Sequence, residues 1–554
     1  MSVGLKELVS RFPWNRWRFC LIAVGIGLAV RTAALVFTAR LPFWTHYRLD
    51  AALYHDLGRA FAAGDIALGN EVLHMSPGYS WLVGCLYVLF GSGPLPVRIV
   101  QLLLGLVTIA VVYEAARLAG GERTARIAAL ATALYGPFIF YEENILVASW
   151  ATFLDALLIY ATLRAEQAGH AVFRRWLAVG LIWGLAIIAR PNALLLVIVL
   201  IAALALGARG RSVFTRGLAG VFLGAALIVS PVTLRNYLLT GEPVLVTDSG
   251  GMNFYLGNGP GARGVFRVPK EMPRADNAAV QFPSFVAAAE KETGHSMTRR
   301  EANAFWYDKT LRAMATDPAG WLRLLGRKAL LFWNAYEVPN TYDYQFFREI
   351  NPVLGLPLVQ FNWIAPFALL GLVLVFRSRQ RPQIVVAGFN LVFFSSIVAF
   401  FVLSHYRVSG VPGLIITAAF CIDELWTALA GRKWPLTVAC ILALAGGAIL
   451  VNLQLLDKPF DDEYFKLGYA YHMQGDVEAA AFNYQAALAI NPENISAHKN
   501  MAMLLENEAA GSGRAKAEAI GHWRMVEKLA RRWKDEKRLR EAQNHLERML
   551  GPSP

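Results

Sequence analysis

Apolar residues in this chain gather into long runs separated by short basic stretches, instead of alternating at the period of a half-buried strand. A run of roughly 20 apolar residues lets a helix cross a bilayer with every backbone group bonded within the segment. About eleven runs meet that requirement, at approximately 17–39, 95–116, 126–141, 145–163, 175–190, 192–208, 214–237, 354–376, 382–403, 409–428 and 435–453. Two further stretches fall short. Gly78 to Phe90 is too brief, and in Trp321 to Tyr336 a Leu/Trp/Phe-rich helix is interrupted by Arg323, Arg327 and Lys328. Both are expected to lie at the membrane surface, with a re-entrant segment as the alternative for the first and a twelfth span for the second. The pattern therefore predicts an all-α polytopic membrane protein with about eleven transmembrane helices plus juxtamembrane helices.

The polar intervals fix an expected sidedness. Placing the N-terminus, with Lys6, Arg11, Arg16 and Arg18, in the cytoplasm also puts Arg117/Arg123/Arg126, Arg164/Arg174/Arg175, Arg209/Arg211/Arg216, Arg377/Arg379/Arg381 and Arg432/Lys433 there. Counting Gly78 to Phe90 as a span would invert everything after it and move these clusters outside. The first run is too long for a signal-peptide core and lacks a small-residue cleavage site, so it reads as a retained span. The outer face then receives the loops at about 40–94 and 238–353, the turns Tyr141 to Asn144, Arg190 to Asn192 and Ser404 to Arg407, and the C-terminal tail.

Composition agrees: 56% of residues are apolar, 17% are charged and the mean hydropathy is +0.40, which excludes an ordinary soluble protein. The formal net charge of +13 lies in the short loops, so it is a topology signal and not a nucleic-acid footprint. Cys20, Cys85, Cys421 and Cys440 are far apart in apolar stretches, which indicates neither a disulfide framework nor a metal cluster.

After Leu456 the chain becomes charged and Ala-rich. Leu467, Gly468, Tyr471, Ala480, Tyr484, Ala487 and Pro492 hold the small, aromatic and terminating positions of a tetratricopeptide repeat. A degenerate second unit follows, interrupted by Gly511-Ser512-Gly513. The expected division is a membrane domain over 1–456 and a non-cytoplasmic, TPR-like helical tail over 457–554, which either caps the chain or docks a protein partner.

Candidate chemistry is concentrated on the outer face. The first outer loop holds Asp50, His55, Asp56 and His74; Asp50 can cap a helix start or serve as a reactive carboxylate. Glu142 and Glu143 sit in a turn between spans, as does Asn192 beside Arg190. Arg190, His405 and Arg407 stand at outer helix ends, where an arginine either reaches lipid headgroups or binds a lipid-linked phosphate. The long outer loop opens with Arg235-Asn236 and carries a Gly/Asn-rich stretch that includes Asn258. The chain lacks GxxxxGK[ST], HExxH and GxSxG, which argues against a P-loop enzyme, a zinc protease and a serine hydrolase.

Asp50, Ser76-Pro77-Gly78-Tyr79, Tyr141-Glu142-Glu143, Arg190-Pro191-Asn192, Arg235-Asn236, Gly257-Asn258 and His405-Tyr406-Arg407, taken in order, resemble a large bacterial family. It is the family related to protein O-mannosyltransferases and to the lipid A aminoarabinose transferase, membrane enzymes of the GT-C fold, whose members often end in tetratricopeptide repeats. The resemblance implies an inverting sugar transfer from a polyprenyl-phosphate donor to a protein or glycan acceptor on the periplasmic face of the bacterial inner membrane. It makes Asp50 the general base and gives the leaving phosphate to His405, Arg407 and Arg190. Glu142 or Glu143 would orient the acceptor or assist a divalent metal, should one be used, and no other cofactor is implied. Many relatives carry Asp-Glu where this chain has Asp50-Ala51, which removes a second carboxylate at that point. A transporter or flippase of a lipid-linked sugar is the alternative, although it should show internal repeats and mid-membrane polar residues. A scaffold anchored by the membrane domain ranks behind both.

Overall fold

The computed structural model describes residues 14–167, 172–269, 281–456, 459–508 and 512–550. Lys6, Arg11 and Gly511, which figured in the sequence reading, lie outside these residues. The chain divides into two compact units, one running to Val36 and from Arg48 to Leu455, the other made of Phe37–Tyr47 and the chain from Leu456 onward.

The larger unit is a helical membrane domain. Among the described residues, eight helices are long and apolar enough to cross a bilayer. The longest, Pro94–Leu134, breaks at Gly121, whose φ of 87° a residue with a side chain seldom adopts. The two arms fold back on each other: a Cβ placed on Gly27 of the first helix would meet both Ile109 at 2.6 Å and Ala133 at 3.6 Å. This one helix therefore covers the expected span 95–116 and only the first part of the expected span 126–141, whose remainder past Tyr135 is the separate short helix Gly136–Glu142. The remaining two correspond to Val147–Glu166, which carries Asp155, Arg164 and Glu166, and to Pro191–Gly207, a shorter segment that begins as a 3-10 turn over Pro191–Leu196.

Helices Val172–Ala189 and Arg211–Thr240 pack backbone to backbone. A Cβ on Gly180 would run into the Val221 carbonyl, and one on Gly224 into that of Leu177, so only glycine permits the approach. The two short stretches also form helices. Pro77–Phe90 packs on Leu49–Ala62, with Gly58 against Val83 and Tyr87. In Pro318–Trp333, Lys328 is fully buried and donates to Asn258 Oδ1 at 2.7 Å, while Arg327 faces the other way and donates to the carbonyls of Arg263 and Leu455.

The smaller unit contains five helices in its tail: Asp461–Met473, Val477–Ile490, Ile495–Glu508, Gly513–Trp533 and Glu536–Leu550. Consecutive helices pair through small residues and bury Tyr484, Trp523 and Leu529 in one core, with Gly468 seated under the Tyr484 ring. This is the repeat architecture that the aromatic and small positions predict. The short 3-10 turn Pro42–Trp44, placed by the sequence pattern in the first outer loop, belongs to this unit.

Candidate functional site

A cavity of about 470 Å³ in the larger unit is bounded by residues that are remote in sequence. Asp50 enters it from the first turn of Leu49–Ala62. Leu49 has φ 45°, a left-handed conformation uncommon for leucine, and the residue that begins the helix is Arg48, which makes no side-chain cap. The Asp50 carboxylate is thus not consumed in capping. It accepts from Asn340 Nδ2 at 3.0 Å, and Tyr54, one turn further on, is buried beside it in the lining. Burial pushes the Asp50 carboxyl up to about 6, against the opposing pull of Arg190 and the Asn340 hydrogen bond.

Arg190 follows the last residue of Val172–Ala189. Its backbone is extended, and Pro191 opens the 3-10 turn, so the helix ends where the guanidinium meets the cavity. Nη2 donates to the His405 carbonyl at 2.8 Å and the guanidinium lies 4.7 Å from the centre of the Tyr406 ring. Nε is buried with no hydrogen-bond partner. Asn192 also lines the cavity and donates to Ser396 Oγ at 3.2 Å. His405 and Tyr406, both lining residues, come from the first turn of Ser404–Ala430, with their rings 4.2 Å apart.

Other walls come from loops. The His74 carbonyl accepts from Ser249 Oγ at 2.9 Å, while His74 Nε2 and Ser76 Oγ are buried without partners. Burial, aided by the charge of Arg299, pushes the His74 imidazole down to about 4, so it is neutral at pH 7. Arg299 latches this region together by donating to Asp248 at 2.6 and 3.2 Å, to Glu71 at 2.9 Å and to the Val72 carbonyl at 2.9 Å.

Five residues singled out from the sequence thus share one cavity: Asp50, His74, Arg190, Asn192 and His405. The others lie outside its lining. Glu142 is held by Arg31 at 2.7 and 3.1 Å, a buried pair inside the helical bundle. The carbonyl of Glu143, itself buried, accepts from Arg98 at 2.6 Å. His55 pairs with the Tyr87 hydroxyl at 2.7 Å, and Asp56 is exposed. Arg235 clasps the carbonyls of Ala67, Leu68, Gly69 and Glu71, while Asn236 holds those of Val244 and Val246. Asn258 anchors Lys328. Arg407 pairs with Glu337 at 2.8 Å and donates to the carbonyls of Phe332 and Asn334. Sequence reasoning missed Asn340, Tyr54, Ser249 and Tyr307 as site residues; the polar density of 337–344, next to the surface helix, was the available signal for Asn340.

Asp50 is the one carboxylate among the lining residues, and no group of three or more His, Cys, Asp or Glu side chains gathers among the described residues. These donors do not form a protein cage for a divalent ion.

Residues 74–234 match the family described as dolichyl-phosphate-mannose-protein mannosyltransferase. Within that stretch lie His74, Ser76, Arg190 and Asn192, and residues 468–507 match the TPR repeat. The resemblance to protein mannosyltransferases with a repeat-bearing tail is borne out. No curated protein matches the chain. Among solved structures, the apo oligosaccharyltransferase of Archaeoglobus fulgidus is similar at 12% identity and a TM-score of 0.45, over 82% of this chain and 58% of that one. The chain therefore spans 58% of that enzyme's length. ArnT from Cupriavidus metallidurans bound to undecaprenyl phosphate is similar at 17% identity and a TM-score of 0.34, over 74% of this chain and 79% of that one.

Proposed function

We propose that this protein is an integral membrane glycosyltransferase that moves a sugar, with inversion, from a polyprenyl-phosphate carrier to a hydroxyl of a protein or glycan acceptor on the outer face of the cytoplasmic membrane. The observation that carries this reading is a single half-buried carboxylate and a single buried guanidinium with spare hydrogen-bonding capacity on one cavity. The matched family's name, with its lipid-phosphate sugar donor, supports it as well.

The chemistry requires a base on one side of the anomeric carbon and a cation for the leaving phosphate on the other. Asp50 accepts the proton of the acceptor hydroxyl as that oxygen bonds to the anomeric carbon. The bond from that carbon to the carrier's phosphate oxygen breaks with its electron pair, and the phosphate takes on negative charge. Arg190 meets that charge in a site already built for it, its Nε having no competing partner. Asn340 fixes the rotamer of Asp50, and Tyr406 fixes the plane of Arg190. Leu194, Leu195 and Phe400 on the same cavity suit the first isoprene units of the carrier. The repeat tail would then serve to dock a protein partner.

The test is release of radiolabelled sugar from polyprenyl-phosphate donors by membranes that contain the wild type or Asp50→Asn, with thermal unfolding followed in parallel. Transfer by the wild type and at least a hundredfold less by a folded Asn variant is the expected result. Movement of the carrier between leaflets, equal in both proteins and without sugar release, would replace this reading with that of a transporter.

A further inference from the structure

Within the cavity, the two formally charged groups stand on other chain segments than one cluster of neutral hydrogen-bonding groups. Asp50 and Arg190 are the only carboxylate and the only guanidinium or ammonium group among the lining residues, and Arg190 is joined to the His405-Tyr406 turn. The segments 74–76 and 247–253 form a second assembly, tied by the Ser249 hydrogen bond to the His74 carbonyl and by the Arg299 latch on Asp248, Glu71 and Val72. Every polar lining group on these segments is uncharged: the His74 imidazole, the hydroxyls of Ser76, Thr247 and Ser249, and the Asn253 amide. The charge of Arg299 is already spent on two carboxylates.

Two atoms of this assembly, His74 Nε2 and Ser76 Oγ, are buried and have no hydrogen-bond partner in the protein. Ser76 is only 6% exposed. Leaving buried polar atoms unpaired is costly, so a pair of them on one cavity wall is a vacancy for ligand atoms that both donate and accept. Sugar hydroxyls have that chemistry, whereas a phosphate would turn to Arg190. We infer that His74 and Ser76, backed by the 247–253 loop, read the hydroxyls of the transferred sugar, and that this sugar is uncharged. An ammonium or carboxylate on the sugar would face a wall with no counter-ion, and a buried charge without a partner is strongly disfavoured.

This inference rests on the transferase reading, and its test separates the two. The full-length protein in lipid nanodiscs is given a panel of polyprenyl-phosphate donors: neutral hexoses, their single-deoxy analogues, a 4-amino-4-deoxy sugar and a uronic acid. The wild type is expected to favour a neutral hexose over its deoxy analogue and over both charged sugars. His74→Ala and Ser76→Ala are each expected to shrink that preference for the intact hexose about tenfold. Competition by sugar-free polyprenyl phosphate should shift less than twofold in both variants, which shows that the carrier is still held. Should His74→Ala fail to fold, His74→Gln and Ser76→Ala give the same readout. Equal loss on every donor, or use of the amino sugar as readily as the neutral one, would overturn the inference and leave the transferase standing. Binding of the carrier with no transfer of any sugar by the wild type would overturn the transferase reading and this inference with it.

Discussion

Arg190 and Arg407 look alike along the chain, since both stand at helix ends beside a turn, and both prove to be buried. Their surroundings differ. Arg407 is neutralised: the Glu337 carboxylate pairs with it at 2.8 Å, two carbonyls accept from Nη1 at 2.7 and 2.6 Å, and the Phe361 ring lies 3.7 Å from the guanidinium carbon. The same carboxylate accepts from Ser404 at 2.6 Å, and Ser404 accepts from Tyr141 at 2.8 Å, so this cluster fastens the start of the helix that presents His405 and Tyr406. Arg190 keeps an unpartnered Nε on a cavity. A buried arginine paired with a buried carboxylate supports structure, and one that faces a cavity with no carboxylate bound to it is placed to meet the charge of a ligand.

Four measurements can break or sharpen this contrast. The largest effect is expected from Arg407→Ala, which strands the Glu337 carboxylate in the interior and should cost about 3–5 kcal/mol of stability, read by unfolding in detergent. A near-wild-type midpoint would show that the cluster is not the fastening. Arg190→Ala should leave the unfolding midpoint almost unchanged while transfer falls about 10²–10³-fold; if it unfolds as readily as the Arg407 variant, the two arginines are not different in kind. Ser404→Ala removes one charge-assisted hydrogen bond and should cost about 1.5–3 kcal/mol, less than Arg407→Ala in the same assay. The smallest effect concerns pH. In the proposed reaction Asp50 acts as the carboxylate, and burial pushes it up to about 6. Transfer should therefore fall about tenfold per pH unit below that value. Because Arg190 favours the ionised form of Asp50, the residual activity of Arg190→Gln should lose its acid limb at a higher pH than the wild type does. An unmoved limb would remove Asp50 from the base position.

The sequence disclosed the spans because a membrane helix satisfies its own backbone, so each run can be recognised without its neighbours. It disclosed the repeat tail for a similar reason, since Gly468 and Tyr484 meet within one short unit. The site was legible only where its residues border spans, as with Asp50, Arg190, Asn192 and His405. Asn340 reaches Asp50 across 290 residues, a pairing that no local pattern encodes. The difference between the two arginines was hidden for the same reason, because Glu337 lies in the long loop at about 238–353. Glu142 could have been read otherwise: Arg31 in the middle of the first apolar run is costly in lipid and needs a buried carboxylate for a partner.

The glycine-to-glycine contact between Val172–Ala189 and Arg211–Thr240 bears on how the cavity can change shape. Two helices whose backbones touch at Gly180 and Gly224 leave no slack for sliding, so they form a stiff post with Arg190 mounted at its end. The 247–253 segment is pinned in the same manner, since a Cβ on Gly251 would run into the Asn303 carbonyl, and Arg299 latches Asp248 beside it. Both walls of the cavity are thus clamped at the backbone, so ligands of different bulk must be met by turning side chains.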